Sequence, residues 1–188
     1  MDIQGTDMSN AIDEIIGRIM QREGGYVDHP NDRGGPTNHG VTIATLRDYR
    51  GEDVTAEDVE NLSADEAREI YHAMYWNPGQ WQNFDHLSFS PAVAEIVFDC
   101  SIHHGPRQAV RFVQRSAGAS VDGMIGPQTI EAVSQTEQAK LAAGIVAARA
   151  AFFGHIISRD HSQAVFAHGW CRRLGEMIEL IPEAGHEA

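Results

Sequence analysis

The chain has 188 residues, 42% of them hydrophobic and 22% charged, enough for one compact domain or two small ones without a disulfide or metal to hold the core. Its 14 Lys and Arg stand against 27 Asp and Glu, a formal net charge of −13, with a pI near 5.0. That balance argues against nucleic-acid binding, which needs clustered cations facing phosphates, and against electrostatic attraction to any anionic surface.

The N-terminus, "MDIQGTDMSN", lacks the basic, apolar and small-residue succession of a signal peptide. No run approaches about 18 uninterrupted apolar residues, so no membrane insertion is expected. Cys100 and Cys171 show no framework spacing and read as free, buried thiols.

Helical periodicity runs almost the whole length. Asn10 is placed to cap a helix striped by Ile12, Ile15, Ile16 and Ile19, ended by Gly24 and Gly25. Any β-hairpin is confined to residues 25–41. "TIATLRDYRG" is a short helix between a Thr42 cap and Gly51. Thr55 with Asp58 and Ser63 with Glu66 have capping-box spacing, the second opening a helix that "NPG" at 77–79 stops. Ser90 and Pro91 begin a mostly buried helix ending at Gly105, and Pro106 begins another ending at Gly118. A short helix starts at Pro127, Thr136 caps a long Ala-rich one reaching about Arg159, and Ser162 caps the last, to Leu180. The fold class is therefore mainly α, with a single domain over 9–180 and frayed ends at 1–8 and 182–188. A first lobe covers 9–90 and a helical second lobe 91–180.

The chemistry concentrates in "QREGGYVDHPNDRGGPTNHGVT", residues 21–42. Glu23 lies four residues beyond Ile19, on the apolar stripe. Desolvation there, and the negative end of the helix dipole, both favour a protonated carboxyl, the state a general acid requires. A glutamate frayed into solvent is the alternative. Asp28, Asn31 and Asp32 follow among glycines that allow close approach of a ligand. A glycosidase generally sets a second carboxylate opposite its acid. Asp32 can return across a hairpin to face Glu23, and Asp28 is its rival; plain turn chemistry explains the same residues. Tyr26 and His39 border this stretch as candidates for substrate contact.

Elsewhere, Trp76 and Trp81 flank "NPGQ" and could stack on sugar faces or anchor a core. Asp99, on an apolar helix, is expected to bind a backbone N–H or a loop. The adjacent His103 and His104 make a poor metal pair, and no metal or cofactor is expected. "VDGMIGPQT" resembles strings in small peptidoglycan-binding modules, and its glycines and proline would equally serve to turn the chain.

"EGGYVDHPNDRGGPTNHGVT" resembles the signature of family 108 of the glycoside hydrolases, phage-type lysozymes. The likeness continues through "YWNPGQW" into "DCSIHHGPRQAVRFVQRSAGASVDGMIGPQTIEAV" and "SQAVFAHGWCRRL", similar to the family's predicted peptidoglycan region. It spans about residues 9–175. The resemblance implies a lysozyme-like fold and an N-acetylmuramidase that hydrolyses the β-1,4 bond between N-acetylmuramic acid and N-acetylglucosamine. Glu23 matches the family's catalytic glutamate. Asp32 and Thr37 fall near an aspartate and a threonine of phage-type lysozymes, with the threonine spacing not identical. His103 stands where the pattern has an asparagine, and Phe153 where a tyrosine is common.

The expected partner is the peptidoglycan glycan strand, bound by a groove and tolerant of salt, with the protein a monomer. An endolysin made in the cytoplasm and released through a holin-type hole fits, as does a specialised secretion role. A lytic transglycosylase and a non-catalytic wall-binding module are the competing readings.

Overall fold

The structure, a computed structural model, describes residues 4–23, 25–27, 35–51 and 53–184, with side chains described over the same ranges except 4–10, 21–23 and 183–184. It divides into two compact units, Met1–Tyr75 and Trp76–Ala188.

In the first unit, α1 runs Gln4–Glu23. Asn10 is inside this helix and not its cap: residues 6–16 hold neither Gly nor Pro, so nothing halts the helix there. Ile12, Ile15, Ile16 and Met20 are its buried face. Strands β1 (Thr37–Asn38) and β2 (Val41–Thr42) pair antiparallel, Thr37 opposite Thr42 and Asn38 opposite Val41. The two linking residues, His39 and Gly40, have φ of 52° and 77°, the left-handed pair of a two-residue hairpin turn. Helix α2 (Ile43–Arg50) is capped by Thr42 and ended by Gly51 at φ 70°. The Thr55–Asp58 capping box forms in full around α3 (Ala56–Glu60). At α4 (Ala64–Tyr71), Ser63 caps as expected, but the Glu66 carboxylate turns to Arg50, which donates from Nε at 2.9 Å and from Nη2 at 3.0 Å. A guanidinium fork outcompetes one backbone N–H for that carboxylate. The π-helical turn His72–Trp76 then closes the segment.

In the second unit, α5 (Pro91–His104), α6 (Pro106–Ala117) and α8 (Gln138–Arg159) pack on one another, with α7 (Pro127–Ser134) against α6. Val97 and Phe98, Val110 and Val113, and Leu141 and Ile145 are among the fully buried contributions of the three larger helices. Helix α9 (Ala167–Glu179) and the short α10 (Ile181–Ala184) complete it. Two caps differ from expectation. The Thr136 hydroxyl donates back to Ala132 O at 2.7 Å, and α8 starts after Glu137 without a side-chain cap. Gln138 instead accepts from Ser90 N at 2.8 Å and donates to Ser88 O at 3.2 Å, joining the starts of α5 and α8. Ser162 lies inside a 3-10 segment, His161–Phe166, whose cap is Asp160. Cys100 is buried, its thiol pushed up to about 12 by burial, whereas Cys171 is exposed.

Helix α8 is also long and apolar enough, by length and composition alone, to cross a membrane. Its one central charge explains why it need not. Arg149 is 1% exposed, and its Nη1 donates to Asp99 Oδ1 at 2.5 Å, while Arg173 donates to Asp99 Oδ2 at 2.5 Å. The Asp99 partners are thus two guanidiniums from α8 and α9, where a backbone N–H or a loop was expected. Arg149 Nε also donates to His104 Nε2 at 2.9 Å. Burial pushes the Asp99 carboxyl up, but Arg149, His103 and Arg173 outweigh it and hold it below the usual range. Burial, then Arg149, push the His104 imidazole down to about 4.

Asp99→Asn leaves Arg149 buried without its carboxylate and should destabilise the protein by about 3–5 kcal/mol in urea unfolding. His104 takes its proton near 6.5 when unfolded but only near 4 when folded. Stability should therefore fall as pH drops through that window, where the unfolded state binds more protons. His104→Gln keeps an acceptor for Arg149 Nε without titrating, and its urea midpoint should decline less steeply between pH 6.5 and 4.

Candidate active site

Helix α1 ends at Glu23. Glu23 stands seven residues after the buried Ile16 and three after the buried Met20; its own side chain lies outside the described ones. Four residues later the chain is clamped. Val27 N donates to Thr37 O at 2.8 Å and Thr37 N donates to Val27 O at 2.9 Å, an antiparallel bridge that sets Val27 beside β1. The segment between them begins and ends at this neck. Asp28 and Asp32 belong to that segment and lie outside the described residues.

The far side of the neck is fixed by buried polar contacts. Asn38 is 5% exposed, and its Nδ2 donates to Val59 O and to Glu60 O, both at 3.0 Å. These carbonyls belong to α3, whose capping box holds them in place. The Tyr71 hydroxyl donates to His39 O at 3.2 Å, so α4 grips the hairpin tip. Ile43 N donates to Pro36 O at 3.0 Å, and Thr37 Oγ1 to Gly35 O at 3.3 Å. Gly35 has φ 71°, a conformation that favours glycine.

The structure thus gathers Tyr26, Thr37 and His39 around one neck that follows Glu23. Tyr26 is exposed, and Thr37 and His39 are half-buried. Trp76 is elsewhere. It is 1% exposed, its Nε1 donates to Asp85 Oδ1 at 2.6 Å, and Phe84, Phe89 and Phe98 surround its ring. Its expected contact with substrate is corrected to a core anchor, because a ring enclosed by three others has no face for a sugar. Trp81, 50% exposed, is the open member of the pair.

The sequence did not announce Asn38 and Tyr71 as supports of the hairpin. Asn38 sits in "TNHG", where a turn signal masks its side chain's long-range role, and Tyr71 reads as one more stripe residue. Among the described residues, no group of three or more His, Cys, Asp or Glu comes together as metal ligands.

The second unit builds its own polar turn. The fully buried Gln114 donates from Nε2 to Asp122 Oδ1 at 2.8 Å, Met124 O at 2.9 Å and Thr129 Oγ1 at 3.1 Å. Its Oε1 accepts from Gly123 N at 2.9 Å. Gly123 has φ 81°, and a Cβ there would stand 2.7 Å from Arg107 Cγ and 3.1 Å from Arg107 O. "VDGMIGPQT" is therefore a turn wrapped around one glutamine.

A mainly α framework with one short hairpin after its first helix fits a lysozyme-like glycoside hydrolase. The comparisons agree. The model of glycosyl hydrolase 108 matches residues 16–105, and that of a predicted peptidoglycan domain matches residues 108–175. The solved structure of SagA from Brucella abortus is similar at 30% identity and a TM-score of 0.78, covering 96% of this chain and 98% of that one. No curated protein matches the chain. The chain belongs to glycosyl hydrolase family 108. It is a peptidoglycan hydrolase of the N-acetylmuramidase type.

Asn38→Ala strands two carbonyls of α3 and releases the hairpin. It should cost about 1–3 kcal/mol per unsatisfied group, seen as a lower thermal midpoint, and should depress wall clearing at temperatures where the protein is still folded.

Proposed function

We propose that Glu23 is the general acid that protonates the leaving glycosidic oxygen, with Asp32 stabilising the oxocarbenium-like charge or positioning water. Asp28 is the alternative second carboxylate. Tyr26, Thr37 and His39 would line the glycan strand. The observation that carries this reading is the end of α1 at Glu23, four residues before the Val27–Thr37 neck. A short tether of that kind limits how far the acid and the acidic segment can separate.

In this reading the enzyme serves as an endolysin or in a related secretion-linked role. It is made in the cytoplasm and released to reach the wall. It works as a monomer, its first lobe cutting and its second supporting wall attachment. It does not insert into a membrane, since α8 would carry Arg149 into lipid and break its pair with Asp99.

Glu23→Gln should lower clearing of a peptidoglycan suspension by about 10²–10⁴-fold with an unchanged far-ultraviolet circular dichroism spectrum. Retention of most activity would sink the assignment. Asp32→Asn should cost about 10²-fold; full activity there, with loss in Asp28→Asn, moves the second role to Asp28. Mass spectrometry of the products should find a muramic reducing end with added water and no anhydro sugar.

A further inference from the structure

The net charge of −13 hides a division along the chain. Residues 1–99 carry six Lys and Arg against 19 Asp and Glu, whereas residues 106–175 carry eight against four. Three of the eight, Arg107, Arg111 and Arg115, recur every fourth residue on α6. That spacing puts them on one face, opposite the buried Ala109, Phe112 and Val113. Among the described residues none of the three has an ion-pair partner. Asp122 feels the charge of Arg107 but spends its carboxylate on the Gln114 side chain and Met124 N–H.

Helix stability does not explain the stripe. Arg115, in the last turn, complements the helix dipole, but Arg107 sits in the first turn, where the dipole disfavours a cation. Nor does the stripe stand alone. Arg107 lies over Gly123, and the same turn is gripped from the other side. Gln82 Nε2 donates to Gly123 O at 3.0 Å and Ile125 N to Trp81 O at 2.7 Å. Trp81, at 50% exposure, is therefore fixed by its own backbone to the turn against which Arg107 rests.

We infer that the arginine face of α6, with Trp81 at its end, is a docking surface for peptidoglycan separate from the cleavage site, in which the arginines take the free carboxylates of the stem peptides and Trp81 stacks on a sugar. The inference rests on the peptidoglycan reading of the chain. Charge complementarity selects the occupant: the wall's peptides are anionic, and the unpaired cations lie in the stretch where Lys and Arg outnumber Asp and Glu. A planar guanidinium takes a carboxylate with two parallel hydrogen bonds, and an exposed tryptophan offers a sugar a flat apolar face.

The test is co-sedimentation with purified sacculi, using full-length protein carrying Glu23→Gln so that the wall is not digested during the measurement. Replacing Arg107, Arg111 and Arg115 together with Gln should weaken binding about tenfold at low salt, from the sum of three exposed ionic contacts. The difference should shrink severalfold near 0.5 M salt as screening shortens. The triple Lys replacement should restore most of the binding, which a misfolded protein would not do. Trp81→Ala should weaken binding equally at both salt concentrations. Sacculi stripped of stem peptides by an amidase should bind the parent protein as weakly as intact sacculi bind the triple Gln protein. Equal sedimentation of parent and triple Gln proteins, or undiminished binding to stripped glycan, overturns the docking surface. Failure of the unsubstituted protein to clear sacculi at all overturns the peptidoglycan reading itself.

Discussion

The Asp99 carboxylate is the fixed point of the second unit. It draws α8 and α9 onto α5 through Arg149 and Arg173. Arg149 in turn holds His104 and lies over Phe153, 5.4 Å from its ring centre, while Phe153 stacks on Trp170 at 4.6 Å. A buried cation in an apolar bundle is tolerable only when paired and hydrogen-bonded. Here Asp99, Arg149 and Arg173 come from three different helices, so the bundle cannot part them without leaving a charge in apolar surroundings. Such a cluster specifies one arrangement of three helices more sharply than apolar packing does.

The first unit solves a different problem, which is to hold polar backbone near solvent in a defined place. Its hairpin is only two residues to a side, far too short to stand alone. Asn38 and Tyr71 make up the deficit by binding backbone carbonyls, one reaching into α3 and the other back from α4. His39, a non-glycine at φ 52°, is the conformational cost of the tight turn. The short sheet is thus tied by two side chains to α3 and α4.

Local signals in the sequence were legible and distant ones were not. Thr42, Thr55, Ser63, Ser90, Gly51, Gly105 and Gly118 mark helix ends where expected, because a cap involves neighbours within three or four residues. The family and its peptidoglycan region were legible for the same reason: each is carried by a compact string. Asp99 was misread because its partners lie 50 and 74 residues away, and nothing around it in sequence announces a guanidinium. Trp76 and Trp81 show the same limit. Five residues apart in one motif, they differ only in what the fold brings over them. The π-helical turn ending at Trp76 was also invisible, since a single extra residue in a turn leaves no periodic trace.

The Val27–Thr37 bridge has a consequence for how such an enzyme can change. The two ends of the intervening segment are held together by their own backbone bonds, so a change of length between residues 28 and 34 need not part Val27 from Thr37. Closing a longer loop costs little, about 0.6 kcal/mol per doubling. Residues can therefore be inserted, removed or exchanged between the two anchors with the helices undisturbed. Change can accumulate there, while the second unit stays under the strict constraint of its buried charges.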